Sequence, residues 1–336
     1  MGDAEGCGKD VSDGVENEYS EGMVYWIVCI LAKQYIEKAK EGRLFFILQI
    51  VFMIPAYKKK KDTPMLSIGQ LEKLHDLFVQ KGWPIEESFE LSEYERYYRT
   101  LLSLNEQEQN FFLKLSEGFL HIPVSRYLDY MIAPLEQLRK TAGGDNLLFM
   151  TCTPKEDAGS VKSSSMVLYQ LKGTSIRQRI NLTPYHVVEN SSTFQFDKVR
   201  VDNSTFVLVD DFIGTGETAT GAIGYLKELC PALDSNEKIC VFSIVALEKG
   251  VQELSSIGVR VFCAVTEQRG ISDMWPSASR TEALGMMDCI EANLKKLKAD
   301  YKRGYKQSEA LVCMERCPNN TFPIYWLTKT VAPYER

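Results

Sequence analysis

The sequence predicts an α/β protein: a parallel, doubly wound sheet, preceded by an all-helical region and completed by a C-terminal helix and strand. Past residue 141, short apolar runs alternate with helical stretches, as in a sheet whose strands are joined by helical crossovers. Ahead of it, apolar residues return at helical spacing and several of the runs stop at glycine. A chain of 336 residues with 45% hydrophobic and 25% charged residues also has ordinary globular composition, which excludes a collagen-like, wholly disordered or disulfide-knot protein.

Residues 1–22 hold seven acids, one lysine and five glycines and read as a disordered acidic tail, too poor in apolar surface to offset the entropy of ordering. Residues 23–140 form the mainly helical region. Its first segment, Met23 to Glu41, is a helix closed by Gly42. Leu44 to Ile54 is dense in Phe and Ile and is a buried strand or a short buried helix, which periodicity does not separate. The run Lys58 to Lys61, followed by Asp62, Thr63 and Pro64, is a linker, with a solvated loop favoured over a nucleic-acid patch. Four helices follow: Gln70 to Lys81 stopped by Gly82, Ser92 to Ser103, Glu106 to Glu117 stopped by Gly118, and Pro123 to Leu138.

Residues 141–336 make the α/β domain. Buried strands are expected at Leu147 to Thr151, Ser165 to Leu171, Phe206 to Val209, Ile239 to Leu247 and Val259 to Val265, with helices over 216–229 and 250–257. A long amphipathic helix, Ala278 to Lys302, and an extended segment, Ala310 to Trp326, close the chain. In such a sheet ligands bind beyond the carboxyl ends of the strands.

Several functions are disfavoured by composition. The 39 Lys and Arg against 45 Asp and Glu give a net charge of −6, with no general attraction for a phosphate backbone. Nine cysteines, an odd number without a C-x-x-C pair, read as reduced thiols of a cytoplasmic protein. The three histidines, His75, His121 and His186, form no metal-binding array. Neither Met23 to Ile36 nor Leu44 to Ala56 reaches the roughly 20 apolar residues of a membrane span.

The chemistry concentrates in Phe206-Val-Leu-Val-Asp210-Asp211-Phe-Ile-Gly214-Thr215-Gly216-Glu217-Thr218. An apolar strand runs into two carboxylates. Gly214 and Gly216 permit a tight turn, and Thr215 and Thr218 supply hydroxyls where a helix begins. Such a turn aims backbone amides and a positive helix end at one place, an anion site fit for phosphate. The neighbouring carboxylates suit ribose hydroxyls or a divalent ion. Gly159, Lys162, Ser163 and Ser164 gather donors after the first strand of the sheet, enough to bind a pyrophosphate without the spacing of a P-loop. After the last, Arg269, Asp273 and Trp275 can stack a ring and pair with its edge; Trp275 reads equally as core.

The acidic motif resembles the phosphoribosyl-diphosphate loop of type I phosphoribosyltransferases, in register from the apolar strand through Thr-Gly-x-Thr. The resemblance implies that Asp210 and Asp211 hold the ribose 2- and 3-hydroxyls, directly or with Mg²⁺. It implies a 5-phosphate on Gly214, Thr215, Gly216, Glu217 and Thr218, and a diphosphate on the Gly159 to Ser164 loop. A mobile segment closes over the sugar in that family, which makes Arg177 and Arg179 candidate catalytic residues holding pyrophosphate; two apart, they share a face if the segment is extended. Several salvage members carry an Asp, implied to act on the base, where this sequence has Gly214. The order of landmarks from Lys162-Ser-Ser to Pro318-Asn-Asn-Thr is similar to a subgroup found in bacterial conflict (antiphage defence) systems, some members lying beside retron reverse transcriptases. The function so implied is phosphoribosyl transfer or glycosidic cleavage, on phosphoribosyl diphosphate or a nucleotide. The alternative is a non-catalytic sensor of the same ligands that signals to a partner protein. Acceptor and oligomeric state have no readable code.

Overall fold

Ser67 opens the first described helix: its hydroxyl accepts the Gln70 amide at 3.3 Å while the Gln70 side chain accepts the Ser67 amide at 3.2 Å, a capping box. The computed structural model describes residues 66–85, 92–142, 145–180, 185–327 and 332–334, all in one compact unit that begins at Met65. Expectations for the tail 1–22, the helix Met23 to Glu41, the segment Leu44 to Ile54 and the lysine run 58–61 lie outside the described residues.

Helix α1 (Ile68–Lys81) ends on Gly82 in the left-handed conformation, as its glycine foretold. Ser92 caps α2 (Glu93–Leu102), and Asn105 with Glu108 forms a second capping box on α3 (Glu106–Ser116). Short strand β1 (Leu120–His121) and a turn lead into α4 (Tyr127–Ala142). Tyr127, Met131, Leu135 and Leu138 fall on one stripe of α4 and are fully buried in the core that also holds strand residues Phe149, Val207 and Val209.

The strands β2 (Asn146–Thr151), β3 (Tyr185–Val187), β4 (Ser204–Ile213), β5 (Ile239–Leu247) and β6 (Arg260–Glu267) form one parallel sheet in the order β3-β2-β4-β5-β6. Every residue of β5, and all of β4 except Asp210, is buried, because helices cover both faces of a parallel sheet. From β2 the chain moves outward to β3 and then returns to the other side of β2 as β4. That reversal makes a crevice at the carboxyl ends of β2 and β4. Helices α5 (Ser163–Gln170), α6 (Thr174–Ile180), α7 (Glu217–Leu229), α8 (Glu248–Ser256) and α9 (Ser277–Ala292) complete the layers, and β7 (Val312–Cys313) pairs in parallel with β1.

Four expectations are corrected. Ser165 to Leu171 is not a strand but lies mostly in α5; its buried residues Ser164, Val167, Leu168 and Leu171 stand at i, i+3, i+4 and i+7, a helical stripe. Arg177 and Arg179 lie in α6 rather than on extended chain, and at 100° per residue two positions place them about 200° apart, on opposite sides. The long C-terminal helix stops at Ala292: Lys296 turns left-handed (φ 68°) and the buried Glu291 carboxylate accepts the returning Arg303 amide at 2.9 Å. The extended segment Ala310 to Trp326 is broken into the two residues of β7, an isolated bridge between Ala310 and Thr321, and a 3-10 turn, Pro323–Tyr325. Its aromatic residues leave the strand path for the helical region: the Tyr325 and Phe119 rings lie 4.3 Å apart, and Tyr325 Oη is 2.9 Å from Ser116 Oγ.

Candidate functional site

Strand β4 runs four residues past its expected end and carries both acids within it. Successive strand residues point to opposite sides, so the two carboxylates part. Asp211 follows Val207 and Val209 into the core and is 4% exposed; it accepts the Tyr127 hydroxyl at 3.0 Å. That same phenol oxygen accepts the Glu315 amide at 3.1 Å. Burial and the Asp211 charge push the Tyr127 pKa upward, which keeps the hydroxyl protonated as a donor. Asp210 faces the crevice, where it accepts Ser163 Oγ at 3.3 Å and the Asp211 amide at 2.9 Å. Burial first, then the adjacent Asp211 charge, hold its carboxyl well above the ordinary range.

Beyond β4 the chain turns through Gly214 and Thr215 to Gly216, whose φ of 85° is left-handed. Gly216 is the N-cap of α7 and offers no side chain to cap it, so the first amides of α7 stay free for a ligand. The Thr215 and Thr218 hydroxyls beside them engage no described residue. On the other wall, Gly159 is also left-handed (φ 85°) and Lys162 occupies the N-cap position of α5 without a side-chain cap. Lys162 pairs with Asp157 at 3.0 Å, and Ser164 is buried with its hydroxyl unpartnered. The Ser163 to Asp210 contact brings these two helix ends and an acid to one crevice.

The model of one protein family, PRTase-CE, matches residues 134–335. The chain belongs to the PRTase-CE family. It is a phosphoribosyltransferase-like protein, and the matched span contains both loops and the acidic pair. No curated protein matches the chain. Tyr127, which holds Asp211, stands ahead of the span that the PRTase-CE model matches.

The loop from Arg269 to Trp275 of this PRTase-CE protein is braced internally. Arg269 and Asp273 form a two-pronged ion pair at 2.9 and 2.7 Å, which holds the Asp273 carboxyl below its usual range. Trp275 packs on Phe111 of α3 with ring centroids 5.5 Å apart. A cleft of about 580 Å³ lies alongside, with Glu248, Lys249, Gln252, Glu267, Arg269 and Asp273 in its lining. Arg177 is exposed on α6, where it donates to Tyr185 Oη at 3.2 Å, and Arg179 is exposed as well; the hydrogen-bond donors to Asp210 are Ser163 and the Asp211 amide instead.

One wall of the site comes from the Pro318-Asn-Asn-Thr stretch, by a contact that the sequence does not show. Asn320 lays its carboxamide against the Gly214 backbone so closely that a Cβ there would meet it at 2.4 Å. The side-chain space at Gly214 is therefore filled from the C-terminal segment. Its neighbour Glu309, 2% exposed, accepts the Ile271 amide at 3.1 Å, the Ser272 amide at 2.7 Å and the Ser272 hydroxyl at 2.6 Å. Among the described residues no three His, Cys, Asp or Glu converge as a metal site. Of the acidic pair, Asp210 is the one that faces the crevice, which fits Mg²⁺ held by one carboxylate, ligand oxygens and water. No described helix is long and apolar enough to cross a membrane, and the seven described cysteines are all free thiols.

Tyr127→Phe should keep the core volume but leave a buried carboxylate oxygen unpaired, at a cost of about 1–3 kcal/mol. Urea denaturation is the measurement; an unchanged midpoint would show that the Tyr127 to Asp211 bond contributes nothing.

Proposed function

We propose that this protein binds phosphoribosyl diphosphate or a nucleotide in the crevice over β2 and β4 and acts on its C1 bond, by phosphoribosyl transfer or glycosidic cleavage. The observation that carries the reading is the uncapped, glycine-opened start of α7 beside the carboxylate of Asp210. The amides of residues 216–218 and the Thr215 and Thr218 hydroxyls take the 5-phosphate. Gly159, Lys162, Ser163 and Ser164 form the loop for the diphosphate. Asp210 accepts the ribose hydroxyls, and its carboxylate offers electrostatic support to a cationic sugar. Asp210 would hold Mg²⁺ together with ligand oxygens and water, and the ion would supply countercharge for the diphosphate. Asp211 acts from below by fixing the strand end through Tyr127.

One observation favours a second reading, a sensor that binds the same ligand and signals to a partner protein. With Asn320 filling the space at Gly214, no acid can act on a base from that position. The setting we propose is bacterial conflict, in the cytoplasm, with a partner protein or retron-type reverse transcriptase complex; the order of landmarks and the free thiols support it. Thermal unfolding with phosphoribosyl diphosphate and Mg²⁺ is the first test. At a hundred times its Kd the ligand should add about 2.7 kcal/mol of stability, and no shift at millimolar ligand would overturn the reading. Release of base or pyrophosphate from nucleotide mixtures then separates enzyme from sensor.

A further inference from the structure

Four of the five non-glycine residues with positive φ fall in one short stretch among the described residues: Arg303 (54°), Lys306 (52°), Gln307 (55°) and Glu309 (50°). Left-handed backbone at such residues persists only where surrounding contacts over-determine it. Here they do. The Arg303 guanidinium pairs with Asp288, its amide donates to Glu291 at 2.9 Å, the Ser308 hydroxyl donates to the Asn320 carbonyl at 3.0 Å, and Glu309 gathers the 271–272 turn. What this bracing delivers is a tyrosine and a lysine to the edge of the phosphate cradle. Tyr305 Oη donates to Glu217 Oε2 at 3.0 Å, and Lys306 Nζ pairs with Glu217 Oε1. Both side chains of that ion pair are about half exposed, at 52% and 47%, and exposed pairs stabilise a fold too weakly to explain a strained loop.

Glu217 is the first residue of α7, so Lys306 stands one side chain away from the amides that face the ligand. We propose that Lys306 is itself a phosphate ligand, held on Glu217 while the cradle is empty and turning to the 5-phosphate when it fills; this rests on the reading of the cradle given above. Lys249 also lies close enough for its charge to act on Glu217, so the carboxylate keeps a countercharge when Lys306 leaves it. A lysine ammonium on a flexible stem suits such an exchange of partners. Its other conceivable role is only to neutralise Glu217, and the two differ in their consequence once Glu217 is uncharged.

Calorimetry with phosphoribosyl diphosphate and Mg²⁺ on the full chain and on the variants Lys306→Ala, Lys306→Arg, Glu217→Gln and Glu217→Gln/Lys306→Ala distinguishes them. Lys306→Ala should weaken binding roughly tenfold, the worth of one charge-assisted hydrogen bond. Lys306→Arg should restore most of it, and Glu217→Gln should bind more tightly than wild type. The deciding result is the double variant. If Lys306→Ala still costs roughly tenfold in the Glu217→Gln background, the lysine touches phosphate; if it costs nothing there, Lys306 is only a counter-ion and the proposal is overturned. Loss in Lys306→Arg equal to that in Lys306→Ala overturns it too. A wild type that binds no phosphoribosyl diphosphate fails at the earlier step, refuting the cradle and this ligand with it, whereas tight wild-type binding with an unaffected Lys306→Ala refutes the ligand alone.

Discussion

Gly216→Val should abolish binding of phosphoribosyl diphosphate and lower stability by about 2 kcal/mol, the order of a forced left-handed conformation at a residue with a Cβ. The φ of 85° at Gly216 lies where a β-branched residue is a genuine outlier. Its Cβ would also touch the Gly250 carbonyl oxygen at 3.4 Å and the Glu253 Cβ at 3.5 Å, so a γ-methyl directed toward α8 would clash. The turn would have to open, and with it the amides at the start of α7. Losing two charge-assisted hydrogen bonds to phosphate weakens affinity by roughly two orders of magnitude or more. Gly216→Ala should fall between the two, since it adds strain without the branched methyls. Circular dichroism checks that each variant folds, and calorimetry reads the affinity. A folded Gly216→Val protein with wild-type affinity would remove the phosphate from this turn.

The strand-to-helix motif was legible because its information is local: an apolar run, two acids, two glycines and two threonines within thirteen positions. Even there the strand end lay four residues later than expected. Hydrophobicity falls at Asp210, but the ladder to β5 continues through Phe212 and Ile213, and Asp211 is buried by a contact from elsewhere in the chain, the Tyr127 hydroxyl. The error over Ser165 to Leu171 had a different source. A short apolar run reads equally as strand or helix in sequence, and here the spacing of the buried residues is helical. Segment β3 has three residues and only Phe149 and its neighbours on β2 to define it; nothing in its composition separates it from loop. Tyr127, Lys306, Glu309 and Asn320 were beyond reach for one reason. Tyr127 and Asp211 are 84 positions apart, and Asn320 meets Gly214 from across the fold, so no window of sequence contains either pair. The glycine at 214 is a trace of the Asn320 contact, but in sequence it reads as a missing function rather than as an occupied space.

Asp210→Asn should move stability and binding in opposite directions. In the metal-free protein the Asp210 carboxyl is held well above its ordinary pKa by burial and by the Asp211 charge. A carboxyl raised in the folded state binds more protons there than in the unfolded chain, so its ionisation destabilises the fold at neutral pH. The penalty shrinks as pH falls through the raised value and vanishes below the ordinary carboxylate range near 4. An amide of nearly the same shape never carries it. The variant should therefore be the more stable protein at pH 7, and its advantage should close on acidification. A second buried acid, Glu291, is raised to about 7 by desolvation, but it titrates in both proteins and cancels in the difference between their unfolding curves. Binding should go the other way: the amide lacks the charge that attracts Mg²⁺ and accepts strong hydrogen bonds from ribose hydroxyls, each contributing roughly 1.5–3 kcal/mol. Asp211→Asn supplies the contrast, because Asn keeps an oxygen to accept the Tyr127 hydroxyl and sits under the sheet rather than in the crevice; its effect on affinity should be the smaller. If Asp210→Asn instead unfolds more easily at pH 7, or binds phosphoribosyl diphosphate as well as wild type does, the acid serves the strand and not the ligand.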